Sequence, residues 1–321
     1  MEKHQVGAQV NVDIRFGYFF MIECIDSMEG VIKQKDYSFK LIYIDPPYCT
    51  QIDFADFSDK WENLEKYLDV MESTLTFIPS KLKDDGAFML HCDYHASHYL
   101  KTMCDNIFGR ENFANEIFTK RSAKNGRNPT RRLFTNLDSI LFYWKDAEFG
   151  RIVTLPTRPA DNSKERWSGL TAGGSGSPRL FFGKLIHPSN GRHFMWSQEN
   201  ITKACQSGRI RLNSNGNPEY RVERDNLPCG TLWGDIPAYR VGEYSTQKSE
   251  VLMQRIIAMT TEKNDMVGDF FCGSGTTLYM AKKMGRKYYG CDINPKAVKI
   301  AEKRISTLNG EIKQDEELCE T

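Results

Sequence analysis

Leu41-Ile42-Tyr43-Ile44-Asp45-Pro46-Pro47-Tyr48 is the stretch that decides the fold. Its first four residues are apolar, two of them β-branched, and read as a short buried strand. The run then meets an acid and two prolines. Each proline fixes its φ and lacks an N–H, so neither can continue a central strand. A stiff loop carrying a carboxylate and an aromatic ring therefore follows the strand. In open α/β sheets, ligands gather at the carboxyl ends of strands. Asp45, Pro46, Pro47 and Tyr48 are accordingly the candidate catalytic residues.

Working outward, residues 16–25 read as another buried strand. Trp61, Leu64, Leu68, Met71, Leu75 and Ile78 recur at three- and four-residue steps, the signature of an amphipathic helix. Residues 87–91 read as a strand, Tyr99 to Ile107 as a helix stopped by Gly109, and 139–144 as a strand. From 151 to 233 the pattern turns irregular and rich in Gly, Pro, Ser and Asn, which predicts a loop-rich lobe with short strands. Order returns with a helix over 250–257 and a strand over 266–270. A helix over 277–284, a strand over 287–291 and a helix over 295–305 complete it. Strands alternating with helices at both ends predict a parallel sheet covered on both faces.

A second motif lies in that returning half. Asp269-Phe270-Phe271-Cys272-Gly273-Ser274-Gly275-Thr276-Thr277 joins a strand to a helix. Glycines at such a turn let a nucleoside approach the backbone. Asp292 follows about twenty residues on, at the end of the next strand, where an acid can bind both hydroxyls of a ribose. No Gly-Lys-Ser/Thr occurs, which argues against a phosphate-cradling NTPase loop.

The 321 residues carry a net charge of +1, with 26% charged and 40% hydrophobic, as in a globular protein. No apolar run is long enough to span a bilayer, and the opening MEKHQVGAQVNVD predicts no secretory leader. Nine scattered cysteines without a Cys-x-x-Cys pair predict reduced thiols and a cytoplasmic location. The near-neutral total hides an asymmetry. Residues 116–240 hold 20 Lys and Arg against 11 Asp and Glu, a local +9 that leaves −8 for the rest. A basic middle of this kind suits a polyanion. Its densest part holds Lys120, Arg121, Lys124, Arg127, Arg131 and Arg132, the candidate polyanion contacts. His91, Cys92, Asp93, His95 and His98 cluster, but a lone cysteine without a second ligand pair predicts no metal site.

Together these motifs resemble the β class of S-adenosylmethionine-dependent DNA amino-methyltransferases. In that class Asp-Pro-Pro-Tyr comes first, then the target-recognition region, then Phe-x-Gly-x-Gly, the order found here. Further resemblances run from Phe16 to Leu308. Tyr244-Ser-Thr-Gln-Lys248-Ser-Glu250 resembles a Thr-Gln-Lys-Pro-Glu segment beside the methionine part of the cofactor. Asp26 stands where the family contacts the adenine ring. Leu90-His91-Cys92-Asp93, Ile107-Phe-Gly-Arg-Glu-Asn-Phe113, Trp196-Ser197 and Thr231-Leu-Trp233 resemble modification subunits of type III restriction systems and their shorter relatives.

The resemblance implies an α/β fold: a doubly wound, mostly parallel, seven-stranded Rossmann-like methyltransferase sheet. It is circularly permuted, with an inserted target-recognition lobe, and the Asp45 and Asp269 strands are neighbours in it. Expected boundaries are 1–118 for the catalytic half, 119–235 for the basic recognition region, 236–309 for the cofactor half and 310–321 for an acidic tail. The implied cofactor is S-adenosyl-L-methionine, held by Asp26, Thr246, Lys248, Asp269, Phe271, Gly273, Ser274, Gly275, Thr276, Asp292 and Asn294. The implied reaction is methylation of the N6 amine of a flipped-out adenine. An N4-cytosine enzyme and a catalytically silent DNA-binding subunit remain alternatives. The N4-cytosine enzymes more often carry Ser where Asp45 stands, which favours adenine. DNA is the implied partner. A homodimer and a restriction subunit are left open, although full-length type III modification subunits are considerably longer.

Overall fold

The computed structural model describes residues 20–53, 58–121, 133, 135–160, 165–222, 226–237 and 247–319, without side-chain detail from 309 onward. Four of the expected DNA contacts (Lys124, Arg127, Arg131, Arg132) and Thr246 lie outside them. The chain divides into two compact units, one of residues 1–156 with 229–321, the other of 157–228.

The first unit begins with β1 (Phe20–Glu23), α1 (Ser27–Ile32), β2 (Phe39–Ile44), α2 (Leu64–Leu75) and α3 (Ile78–Lys81). It continues with β3 (Leu82–Cys92), α4 (Ser97–Phe108), β4 (Phe113–Lys120) and β5 (Leu137–Trp144). The second unit supplies β6 (Thr157–Pro159), β7 (Trp167–Gly169), β8 (Thr171–Gly173), β9 (Arg179–Phe181), β10 (Lys184–Ile186) and β11 (Arg192–Phe194). After α5 (Gln198–Gln206) come β12 (Ile210–Leu212), β13 (Pro218–Arg221) and β14 (Asn226–Pro228). The chain then returns to the first unit through β15 (Leu232–Trp233), α6 (Glu250–Thr260), β16 (Met266–Asp269), α7 (Thr276–Lys283), β17 (Lys287–Cys291) and α8 (Pro295–Cys319).

One eight-stranded sheet forms the first unit, in the order β1-β17-β16-β2-β3-β5-β4-β15. Only β5 runs against the others. The sheet is thus mostly parallel, with the two-residue β15 as one strand more than expected. β2 shows why the sheet is covered twice, since all six of its residues are buried. Ile42 and Ile44 point to one apolar cluster with α1, α2 and α4, and Leu41 and Tyr43 to another with α6, α7 and α8. Two elements depart from the expectations. β4 is a strand where none was expected, and α8 runs to Cys319, through part of the acidic tail.

The second unit is built from short pairs, β9 with β10, β8 with β11, β6 with β14, and the triple β12-β13-β7. A small core of Leu170, Phe181, Phe194, Ile201, Ala204 and Ile210 holds them to α5. Ser197 caps α5 by accepting from the Asn200 N–H at 3.3 Å. Among the described residues no helix is long and apolar enough to cross a membrane.

Candidate active site

β2 delivers Asp45 to the carboxyl edge of the sheet, where its side chain is 21% exposed. The Tyr48 hydroxyl donates to Asp45 Oδ1. Lys248 Nζ lies 3.1 Å from that same oxygen and donates to the Tyr48 oxygen at 2.8 Å. Burial, then the adjacent Asp45 carboxylate, pushes the Tyr48 phenol well above its ordinary range, so it keeps its proton as a donor. All this engages Oδ1. Among the described residues no donor reaches Asp45 Oδ2, and that oxygen still has both its lone pairs to offer.

A second acid, absent from the expected set, shapes the loop. Asp59 is 1% exposed. Its carboxylate accepts from the backbone N–H of Tyr48 at 3.2 Å, Cys49 at 2.9 Å and Thr50 at 2.9 Å. It also accepts from Thr50 Oγ1 at 2.6 Å and Trp61 Nε1 at 3.2 Å. Cys49 and Gln51 take left-handed backbone, φ 59° and 63°, so the loop does not hold this shape by local preference. A buried carboxylate that gathers three successive amides overrides that preference.

Beneath the loop lies His91, on β3 beside β2. Its Nδ1 is 2.8 Å from the Tyr43 hydroxyl, and its Nε2 is buried without a hydrogen-bond partner, 3.8 Å from Asp138 Oδ2. Burial, then the Lys248 charge, holds the imidazole below its ordinary value, so it is neutral. Fully buried Asp93 accepts from His95 Nδ1 at 2.9 Å and from Arg121 Nη1 at 3.0 Å. Arg121 Nε is also 3.5 Å from Asp138. Arg121 is thus tied to two carboxylates, whereas Lys120 is exposed. Among the described residues no group of three His, Cys, Asp or Glu could hold a metal ion.

β16 brings the glycine turn alongside. It pairs in parallel with β2, Val267 with Leu41 and Gly268 with Ile42, so Asp269 and Asp45 end neighbouring strands on one edge. More than two hundred residues separate them in the chain, and the resemblance implied this adjacency. Burial raises the Asp269 carboxyl to about 7, and Asp45 and Asp292 add to the rise. Asp269 Oδ1 accepts from the Phe271 N–H at 3.1 Å, which shapes the start of the turn. Gly275 has φ 74°, and a Cβ there would sit 2.6 Å from Ala301 Cβ, so the turn admits no side chain. Asp292 accepts from the Gly273 N–H at 2.9 Å and the Asn294 N–H at 2.8 Å, one on each oxygen. Each oxygen can accept once more, which suits a vicinal diol. Asp26 caps α1, accepting from the Met28 N–H at 2.9 Å.

Ser274 and Thr276 are buried in the turn, and Phe271 is half-buried. Ser274 and Thr276 are held by a residue the motifs did not reveal. Arg304 on α8 donates to the Ser274 carbonyl at 2.9 Å and Thr276 Oγ1 at 3.0 Å, and pairs with Glu250 at 3.2 Å.

An acidic, proline-stiffened loop and a glycine turn therefore share the carboxyl edge of a parallel sheet, the arrangement of a nucleoside-binding α/β enzyme. Residues 39–303 match the family model described as DNA methylase, N6_N4_Mtase, and the chain belongs to that family. It is 30% identical over 297 residues to "Type II methyltransferase M.EcaI" of Enterobacter cloacae, covering 83% of this chain and 64% of the relative. To the "Probable type III restriction-modification enzyme HindVI Mod subunit" of Haemophilus influenzae it is 25% identical, covering 83% and 47%. The chain thus spans about half to two thirds of these two relatives. Among solved structures, the PvuII DNA methyltransferase (cytosine-N4-specific) matches with TM-score 0.55 at 17% identity, covering 89% of this chain and 86% of that one. The M1.HpyAVI–SAM complex matches with TM-score 0.50 at 18% identity, covering 89% and 99%. The sheet is thus a Rossmann-like methyltransferase fold.

Proposed function

We propose that the chain transfers a methyl group from S-adenosyl-L-methionine to the N6 amine of an adenine extruded from DNA. The observation that carries this reading is Asp45. It is a carboxylate, with one oxygen engaged and the other open, on the strand next to the glycine turn. The residues fit the cofactor: the Gly275 cradle excludes a side chain, and Asp292 retains acceptors for a ribose. Asp26, Phe271, Gly273, Ser274, Thr276 and Asn294 complete the cradle, with Thr246 beyond the described residues. When bound, the cofactor supplies a methyl group on a sulfonium, whose departing bond electrons remain on sulfur.

The chain's own task is to make the amine attack. Adenine's amino lone pair is delocalised into the ring, so the nitrogen needs acceptors for both hydrogens. Asp45 Oδ2 accepts one and the Pro46 carbonyl the other, and both stabilise positive charge as it develops on nitrogen. Pro47 stiffens the loop. The Tyr48 ring offers the base an apolar face. The surplus proton leaves through Asp45 to water. Lys248 sits 3.1 Å from Asp45 Oδ1 and braces that oxygen, which leaves Oδ2 for the amine.

Extrusion of the base costs a few kcal/mol. Phosphate contacts from the basic stretch opening at Lys120 and from the second unit offset it. The test is mass spectrometry of nucleosides from unmethylated DNA incubated with protein and cofactor. N6-methyladenine is the expected product. N4-methylcytosine, or no methylated nucleoside, overturns the reading.

A further inference from the structure

The second unit carries an exposed apolar tip that its own core does not explain. β9 and β10 pair antiparallel, Phe181 opposite Lys184 and Leu180 opposite Leu185, which leaves Phe182 and Gly183 as a two-residue turn. Both have positive φ, 50° and 78°. That is the pattern of a type I′ hairpin turn, whose first position favours Asn, Asp or Gly. A bulky aromatic held in left-handed backbone is costly, and such strain gathers at functional sites.

Packing gives no compensation. Phe182 is 52% exposed, and Leu180 and Leu185 beside it are 50% and 58% exposed. The base of the hairpin is nonetheless rigid. Phe181 is fully buried, its ring 5.0 Å from that of Phe194. Gln198 grips the Leu180 backbone at both ends, donating to its carbonyl at 2.9 Å and accepting from its N–H at 2.8 Å.

The charge around the tip selects the occupant. From Arg166 to Gln198 there are four Lys or Arg and no Asp or Glu. Over 157–228 there are eleven Lys and Arg against six Asp and Glu. A polyanion with flat apolar rings gains both from this excess of basic residues and from the exposed apolar tip. We propose that the Phe182 ring, raised on the β9–β10 hairpin, stacks against a nucleobase of bound DNA at a step where the duplex is unstacked, with Leu180 and Leu185 as its apolar shoulders. This rests on the reading of DNA as the substrate.

The test compares F182N with F182Y in the full chain. Asparagine tolerates left-handed backbone, so F182N melts at or above the wild-type temperature. The probes are unmethylated plasmid DNA for methyl transfer and fluorescently labelled restriction fragments of the same plasmid for anisotropy. In F182N, KM and Kd for DNA rise roughly ten- to a hundred-fold, the worth of one base–aromatic stack. The rate at saturating DNA and the cofactor affinity hold, and F182Y behaves as wild type. An F182N protein that binds and methylates DNA as wild type does overturns the proposal and leaves the methyltransferase reading standing. A wild-type protein that binds DNA through Phe182 but never methylates it supports the proposal and sinks that reading. Loss of a wild-type dimer in F182N, with DNA affinity unchanged, makes the tip a self-association surface and also overturns the proposal.

Discussion

Asp59→Ala removes one carboxylate and leaves three successive backbone amides of the catalytic loop, at Tyr48, Cys49 and Thr50, without their acceptor. Hydrogen bonds to a charged group contribute about 1.5–3 kcal/mol each. The low end applies, because water can reach the half-buried loop once the carboxylate is gone. Three bonds at that end come to roughly 4–5 kcal/mol. For a unit of this size that is a fall in Tm of roughly 10–15 °C, read by scanning calorimetry. The effect on rate is the sharper signature. A reacting group misplaced by about 1 Å loses about a hundred-fold, so single-turnover methyl transfer falls by about that factor. Cofactor affinity stays within about twofold, since the glycine turn leans on Arg304 and Asp269 instead. Asp59→Asn keeps one acceptor oxygen and falls between. An Asp59→Ala protein that melts and turns over like the wild type refutes the assigned role.

Other expectations follow from the same geometry. Gly275→Ala forces a left-handed alanine against Ala301, and calorimetry is expected to find cofactor binding weakened at least about tenfold; unchanged affinity counts against the cradle. Arg304→Met frees the Ser274 carbonyl and Thr276 hydroxyl, and is expected to weaken cofactor binding by about fivefold to tenfold while DNA affinity holds. Asp269 links stability to pH. Its folded carboxyl titrates at about 7, above the ordinary 3.8, so the folded chain holds a proton that the unfolded chain releases between those values. Its stability contribution is full below about 4 and is lost as pH rises through about 7, by at most roughly 4 kcal/mol. Asp269→Asn carries no such proton, so urea unfolding across that window is expected to lose this slope; identical slopes in both proteins contradict it.

The parts of the site that the sequence made legible are those where local chemistry is unusual. Two prolines behind an acid at a strand end, or three small residues in a strand-to-helix turn, also build ordinary turns; it is their order along the chain, with Asp292 completing the second motif, that made them specific. Their adjacency came only with the family resemblance; nothing in two short apolar runs more than two hundred residues apart says that β2 and β16 pair, as they do in the structure. Asp59 was not legible. An acid between Ser58 and Lys60 reads as surface, and only the fold turns it inward onto the Tyr48–Thr50 amides. Arg304 hid for the same reason on an otherwise ordinary helix. β4 escaped notice because only Ile117 and Thr119 of its eight residues are buried, so its alternation is faint. Arg121 sat in a basic run that resembled a phosphate-binding loop, yet Asp93 and Asp138, distant in sequence, hold it.

The most direct measurement pairs two readings on Asp45→Ala: methyl incorporation into DNA, and calorimetric binding of S-adenosylmethionine. The expected result is loss of transfer with cofactor binding intact, since the carboxylate serves the amine and the glycine turn serves the donor. An Asp45→Ala protein that still methylates DNA at the wild-type rate contradicts the role of this carboxylate, and with it the proposed chemistry.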